Sequence, residues 1–348
     1  MTGKKGSNGL RSGLLMTGTM IGAGFASGKE LVTFFGTNPI AVPIVSVLVG
    51  LFFFLASNLL FRLGEFFAAR SAHDLWKRLF GRGGSLFEAF FLVSCFLVLS
   101  AMLAGTDALF VSAFSFPNVP IASVLTLTVA FVVLKRGLKG MVSANTVIVP
   151  AMIGLLVLLS VASLARGEGS FEVERLSVLP SVSSAALYVA MNVLLAFVVL
   201  TDLGRELSRK EAKKASAIGS VLIASVVAVF LLAISFIGED AEESVMPILA
   251  LAARFGKVST ALCVGVIWCG IFTTLLSVAY PPVVKLSLSM GEGWAFATVT
   301  IASVLLSTLG FSVLVEVFYP LMSIFGIILM VQAYACLFGE KKREPVRQ

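Results

Sequence analysis

The sequence predicts an all-α integral membrane protein that crosses the bilayer ten times as a single transmembrane domain, residues 1–348. Its 348 residues are 58% hydrophobic and 13% charged, with a mean hydropathy of +1.02. The apolar residues occur in long blocks, and a spanning helix needs about 20 of them. Ten blocks qualify as helices 1 to 10, namely residues 10–36, 40–64, 86–115, 119–135, 139–165, 184–204, 215–238, 259–284, 293–310 and 312–338.

The distribution of Lys and Arg predicts that both termini are cytoplasmic, because cytoplasmic loops collect basic residues. With the amino terminus inside, 21 basic residues lie at the cytoplasmic ends of the helices. Only Arg166, Arg175, Arg254 and Lys257 fall outside, and Lys29 lies within helix 1. Topology and anionic lipid headgroups account for the net charge of +7. We therefore expect the lipid bilayer as a partner and no nucleic acid.

Catalytic and cofactor signatures are absent from the sequence, so we expect no enzyme activity and no organic cofactor. The four cysteines fall within apolar segments, where free cysteine packs as a small hydrophobe. The single histidine, His73, has no second histidine or nucleophile beside it. The glycines of helix 1 follow no strand, which excludes a dinucleotide-binding loop.

Two five-helix halves, 10–165 and 184–338, predict an inverted repeat, because an odd number of helices per half turns the second half over. Two amphipathic loops agree with this division. Residues 65–80 follow the second helix of the first half, and residues 239–255 follow the second helix of the second half. We expect each loop to contain a short lateral helix at the membrane surface.

Helix 1 contains its own break. The stretch TGTMIGAGFASGKELVTFF, residues 17–35, removes side chains at Gly22, Gly24 and Gly28. Ser27 and Glu30 then form a capping-box pattern, which predicts that a new helix begins near Gly28. Carbonyls that end the first half-helix suit a small cation, and amides that begin the second suit a carboxylate. Small-xxx-small packing of two helices is the alternative explanation for the glycines.

The motif GTMIGAGFASGKE resembles helix 1 of the YkvI-like bacterial membrane proteins. These are grouped with the LeuT-type, five-plus-five inverted-repeat transporters of the amino acid-polyamine-cation superfamily. The resemblance implies a prokaryotic plasma membrane and a small-molecule substrate held between breaks in helices 1 and 6. The predicted substrate-binding residues in helix 1 are Gly22, Ala23, Gly24, Phe25, Ala26 and Ser27.

The resemblance also implies a sodium site between helices 1 and 8. Helix 8 reads CGIFTTLLS, in which the carbonyl of Gly270 and the hydroxyls of Thr273 and Thr274 match the LeuT-type spacing. Gly18 and Ile21 would supply the helix-1 carbonyls. Positions i, i+3 and i+4 share a helix face, and hard oxygen ligands suit an alkali cation. The alternative is that each threonine bonds to its own preceding turn.

Three charged residues lie at similar depths in the outer half. At 1.5 Å per residue, Lys29, Asp107 and Glu316 share a level, and charges inside membranes are usually paired. We predict that Lys29 pairs with Asp107 or Glu316 as an outer gate, with a static structural salt bridge as the alternative. Arg11 and Asp202 are the predicted inner gate.

Helix 6 and an acid for a substrate amine complete the predicted substrate site. The resemblance implies a break in helix 6, yet no glycine precedes Gly204 in this segment. Asn192 is the candidate cap for a restarted half-helix, and Tyr188 the candidate to face the substrate. Both residues also suit ordinary hydrogen bonding between helices. Asp107 is the predicted partner of a substrate amine.

These features predict a secondary active transporter that couples Na+ entry to symport of an amino acid or related amine by alternating access. A proton-coupled transporter is one alternative, although helix 5 lacks the lysine that proton-coupled relatives place at this site. A membrane sensor of the same fold that binds its ligand without transport is the other.

Overall fold

The computed structural model describes residues 8–20, 25, 27–67, 72–114, 121–166, 178–235 and 243–340. Throughout these ranges the regular structure is helical. The first five predicted helices correspond to α1, seen as Asn8–Met20 (α1a) and Lys29–Phe35 (α1b), Val42–Phe67 (α2), Gly84–Phe114 (α3), Ile121–Leu134 (α4) and Gly137–Arg166 (α5). The second five correspond to Val178–Glu206 (α6), Arg209–Ser235 (α7), Lys257–Met290 (α8), Glu292–Ser307 (α9) and α10, which comprises Phe311–Val313, a π-helical turn Leu314–Phe318 and Tyr319–Glu340.

Six of the described helices are long and apolar enough to cross a membrane, or seven if α4 and α5 form one bent span. The axes of α4 and the first half of α5 differ by 118° across a two-residue turn. With 14 and 16 residues, α4 and α9 are shorter than a typical span. An all-helical membrane protein is thus confirmed, while the count of ten crossings stays a prediction.

Short helices occupy both loops for which the sequence predicts them. Ala72–Phe80 lies between α2 and α3, and Pro247–Ala253 lies between α7 and α8. The first buries Trp76, whose ring packs at 4.5 Å from that of Phe197 on α6. The loops therefore contribute to the helix bundle as well as to its surface.

Helix packing has the pairing that two five-helix repeats produce. Helix α1 packs on α7, and α2 packs on α6. In an arrangement of two five-helix repeats, α1 corresponds to α6 and α2 corresponds to α7, so these two contacts are equivalent. The same correspondence makes the α1–α5 contact equivalent to the α6–α10 contact. The pairing supports the predicted repeats at 10–165 and 184–338, whose boundaries stay a prediction.

Helix α6 is the central helix of the bundle and contacts α2 closely at two glycines. A side-chain carbon at Gly64 would overlap the backbone of Thr201, and one at Gly204 would overlap the backbone of Phe61. Small residues allow helix backbones to approach in this way inside membranes. The sites described below lie on α6 and on the helices that surround it.

Candidate functional site

An ion pair joins helix 1 to helix 10 in the half of the bundle that the basic residues predict to face outward. The Lys29 ammonium lies 2.8 Å from a carboxylate oxygen of Glu316. The Lys29 side chain is 7% exposed and that of Glu316 is 48% exposed. Glu316 projects from the π-helical turn of α10, a kind of distortion that is frequent at functional sites. The structure thus selects Glu316, one of the two predicted partners of Lys29.

Asp107, the other predicted partner, has a different role. Its Oδ1 accepts a hydrogen bond of 3.1 Å from the backbone amide of Ser123, in the first turn of α4. The first amides of a helix lack partners within the helix, and a side-chain carboxylate satisfies them well. Asp107 therefore stabilises the start of α4 instead of pairing with Lys29. Asp107 is thus not the partner of Lys29 in this structure, and its contact with a substrate amine stays a prediction.

Glu30 is a buried acid in the first turn of α1b. Its side chain is 3% exposed, and Nδ2 of Asn192 donates to its Oε1 over 3.4 Å. The hydroxyls of Tyr188 and Tyr319 lie close enough to interact with this carboxylate electrostatically. Within the described part of the chain, no lysine or arginine forms a salt bridge with Glu30. A carboxylate in this setting can bind a cationic group.

The predicted capping box does not form in the expected way. Gly28 is the residue before α1b and has the left-handed φ of 87°, which glycine adopts without strain. The Ser27 hydroxyl accepts from the amide of Lys29 over 3.3 Å, rather than from the amide of Glu30. The Glu30 carboxylate bonds to Asn192 on α6 instead of reaching back to Ser27. A new helix nevertheless begins at Lys29, close to the predicted position.

Helix α6 is continuous from Val178 to Glu206, so the break that the family resemblance implies there is wrong for this structure. Asn192 does not cap a half-helix, because its Nδ2 donates to the Tyr188 carbonyl in the preceding turn as well as to Glu30. Tyr188 is fully buried, and its ring contacts those of Phe34, Phe35 and Phe53 at 5.2 to 6.0 Å. Among the described residues its hydroxyl has no hydrogen-bond partner.

Helix α8 approaches α1a at the predicted cation site. The Thr274 hydroxyl donates to the Thr19 carbonyl over 3.4 Å, one residue beyond Gly18. The Ser277 hydroxyl donates to that of Thr19 over 3.1 Å. The Thr273 hydroxyl instead donates to the Gly270 carbonyl over 3.0 Å, which is the local bonding that the sequence left open. Thr274 therefore links the two helices directly, and the described bond of Thr273 lies within α8.

Several predicted residues of helix 1 lie outside the described residues, namely Ile21, Gly22, Ala23, Gly24 and Ala26. The predicted break at Gly22 and Gly24 therefore stays a prediction. Phe25 is described and fully buried, with its ring 5.1 Å from that of Phe230 on α7. Phe25 packs helix 1 against α7 in this structure.

Arg11 and Asp202, the predicted inner gate, do not pair with each other in this structure. Asp202 pairs with Arg205, one turn further along α6, and lies 3.5 Å from the Tyr280 hydroxyl. Arg11 is exposed and does not contact Asp202, because the nearby Arg205 occupies that carboxylate. Arg11 instead lines a cavity of about 470 Å³ between α1a, α5 and α6. The cavity opens at the end of the bundle that the basic residues predict to be cytoplasmic.

Sequence comparison identifies one similar curated protein, and no protein-family profile matches the chain. The chain is 28% identical over 315 residues to the uncharacterized membrane protein YkvI of Bacillus subtilis (strain 168), covering 87% of this chain and 89% of that protein. The resemblance to YkvI that helix 1 predicts is therefore confirmed over most of the chain.

Structure comparison identifies transporters with the LeuT-type fold. The chain superposes on MhsT, solved in complex with L-phenylalanine, with a TM-score of 0.68 at 15% identity, over 94% of this chain and 97% of that one. It superposes on Mhp1, a nucleobase-cation-symport-1 family transporter with bromovinylhydantoin bound, with a TM-score of 0.58 at 15% identity, over 92% and 74%. At this identity the comparisons establish the fold, and the substrate has to be argued from the residues.

Proposed function

We propose that this protein is a secondary active transporter that couples Na+ entry to the uptake of an amino acid or related amine. The observation that carries the proposal is that one end of helix 1 is closed and the other end is open. Lys29 and Glu316 close the outer end, while the cavity beside Arg11 opens the inner end. An alternating-access transporter has this asymmetry when it faces the cytoplasm, because its site opens to one side at a time.

The coupling ion would bind where α8 meets the end of α1a. Thr19 and Thr274 bring a carbonyl and hydroxyls together there, and Ser277 adds another hydroxyl. All are uncharged hard oxygen donors, the ligand class that suits an alkali cation. Gly18, Gly270 and Thr273 complete the proposed set, with Thr273 turning its hydroxyl away from the Gly270 carbonyl when the ion binds. The hydrogen bonds that these groups now make to each other would satisfy them in the ion-free state.

The substrate amine would bind at Glu30. A carboxylate inside a membrane protein is costly unless a positive charge accompanies it, and an ammonium group supplies that charge. Asn192 holds one oxygen of this carboxylate, and the Tyr188 hydroxyl offers a further hydrogen bond. Lys29 directly precedes Glu30 in sequence. Its pair with Glu316 would open to admit substrate from outside.

The proposal is tested by counterflow in liposomes that contain the purified protein. Labelled amino acids should accumulate in liposomes preloaded with the unlabelled compound, and replacing Na+ by K+ should abolish the accumulation. Protein-free liposomes provide the background. Ligand binding that raises the melting temperature without any counterflow would identify a sensor instead.

Proton coupling is the second candidate, and Glu30 is the observation that favours it. A lone buried acid can carry a proton through alternating access in the same way that it can hold an amine. Counterflow that persists in K+, together with uptake driven by an inward proton gradient, would establish this alternative.

The continuous α6 favours the sensor, because this helix lacks the break that the resemblance implies.

A further inference from the structure

Asn145 on α5 has a buried oxygen without a partner. The residue is 0% exposed, and its Nδ2 donates to the Met141 carbonyl over 2.9 Å. Its Oδ1 is buried and accepts no hydrogen bond from the residues that the structure describes. Buried polar atoms are nearly always paired, so an unpaired one requires an explanation. This residue is absent from the predicted cation site, which uses helices 1 and 8 alone.

The orientation of the Asn145 amide follows from its neighbours. The Met141 carbonyl can only accept, so the nitrogen of Asn145 must face it and the oxygen must face the other way. In that direction lies Gly18 of α1a, where a side-chain carbon would overlap Asn145 Oδ1. The glycine thus permits an α5 oxygen to contact the backbone of helix 1.

The same turn of α1a is the one that α8 approaches. Thr19 follows Gly18, and its carbonyl and hydroxyl accept hydrogen bonds from Thr274 and Ser277. Helices α1, α5 and α8 also pack against one another. Oxygen atoms from three helices therefore lie around one turn of helix 1, and that of Asn145 accepts no hydrogen bond from the part of the chain that the structure describes.

We propose that Asn145 Oδ1 is a ligand of the coupling cation, supplied by α5. This inference rests on the proposed function and adds a side chain to its ion site. An amide oxygen is a neutral, hard ligand of the kind that alkali cations bind. The inner cavity is lined by Val142 and Thr146, which lie on either side of Asn145 in sequence. The cavity therefore lies beside the segment of α5 that carries Asn145.

The test is the sodium dependence of the melting temperature of the purified full-length protein, with NaCl replacing KCl at constant ionic strength. Asn145→Leu removes the oxygen at similar volume, and Asn145→Asp retains an oxygen and adds charge. Asn58→Leu is the matched control, because Asn58 on α2 makes the same bond to the carbonyl four residues earlier, over 3.0 Å. Binding to the folded state raises its stability by RT ln(1 + [Na+]/Kd), so the half-saturating sodium concentration is obtained by fitting the melting temperature against the sodium concentration.

We expect Asn145→Leu to raise the half-saturating sodium concentration by about tenfold or more, since a contact to a charged group typically contributes that much. Asn58→Leu should leave it unchanged, and Asn145→Asp should lower it. A wild-type sodium response in Asn145→Leu would overturn the inference and leave sodium coupling intact. If Asn145→Leu does not fold, an unchanged value in Asn145→Asp would overturn it equally. No sodium response in the wild-type protein would overturn sodium coupling itself, and this inference with it.

Discussion

The two ends of helix 1 show how this chain handles charge at the membrane. At the outer end, Lys29 pairs with Glu316 across two helices and is almost fully buried. At the inner end, Asp202 pairs with Arg205 within one helix, and Arg11 lies exposed in a cavity. An ion pair between helices can hold them together, whereas one within a helix constrains neither neighbour. In the proposed mechanism, the pair between Lys29 and Glu316 would therefore lock its end of helix 1.

The same contrast separates the acids of the two ends. Glu30 is buried beside uncharged partners at the outer end, while Glu206 lines the inner cavity, where water can solvate it. Desolvating a charge is costly, and solvating it removes most of its interaction energy. Changes at the outer end should accordingly affect function far more than matched changes at the inner end.

The largest expected contrast is chemical access. In a background without the native cysteines, Ser143→Cys in the cavity lining should react with a charged thiol reagent, whereas Ser27→Cys, at a fully buried position, should not. Mass spectrometry of labelled vesicles measures both. Labelling of Ser143→Cys only from the cytoplasmic side would also establish the orientation. Equal labelling of the two variants would contradict the closed outer end.

Glu30→Gln should reduce the affinity for amine-bearing substrates by about a hundredfold. Leaving an ammonium without its buried partner typically costs about 3 kcal/mol or more. The measurement is substrate-induced stabilisation followed by counterflow, which should both decline. Glu65→Gln is the matched control, because Glu65 forms an exposed pair with Arg209 at 2.9 Å. Wild-type affinity in Glu30→Gln would remove Glu30 from the substrate site.

Reversing one charge of the outer pair should lower uptake by about tenfold. Lys29→Glu or Glu316→Lys alone places like charges together at a partly buried site, which disfavours closure. The double variant should recover most of the uptake, as measured in liposomes. As a control, Glu65→Lys should change uptake little, because exposed pairs contribute about 0 to 1 kcal/mol. A double variant as defective as the single ones would contradict pairing.

The sequence predicts the outer pair for a physical reason, namely that charges within apolar segments require partners at the same depth. Depth follows from counting residues along a helix, which brings Lys29 level with both Asp107 and Glu316. Rotation about the helix axis does not follow from counting. The choice of Glu316, and the bond from Asp107 to Ser123, therefore needed the structure.

Glu30 and Asn145 show why the remaining site residues were missed. The Ser27-x-x-Glu30 pattern is sufficiently explained as a local capping box. The residue that bonds to the Glu30 carboxylate in the structure, Asn192, lies 162 residues away in the sequence. Asn145 in an apolar helix is typical of interhelical packing. Its unpaired oxygen becomes visible only once Gly18 is seen against it. In both cases tertiary contacts override a local pattern that explains the residue adequately.

The smallest expected effect concerns Arg11, and it decides whether the inner end closes by an ion pair or by packing. Arg11→Ala should change uptake by less than about twofold, because Arg11 is exposed in the cavity and Arg205 already occupies Asp202. Initial uptake rates measure this, with Lys139→Ala in the same cavity as the control. A tenfold loss in Arg11→Ala, rescued when Arg11 and Asp202 are exchanged, would show that the two residues pair when the inner end is closed. In that case an ion pair would close each end of helix 1 in turn. A small effect on uptake would instead mean that only the outer end is closed by an ion pair. The inner cavity would then close by movement of α1a against α5 and α6.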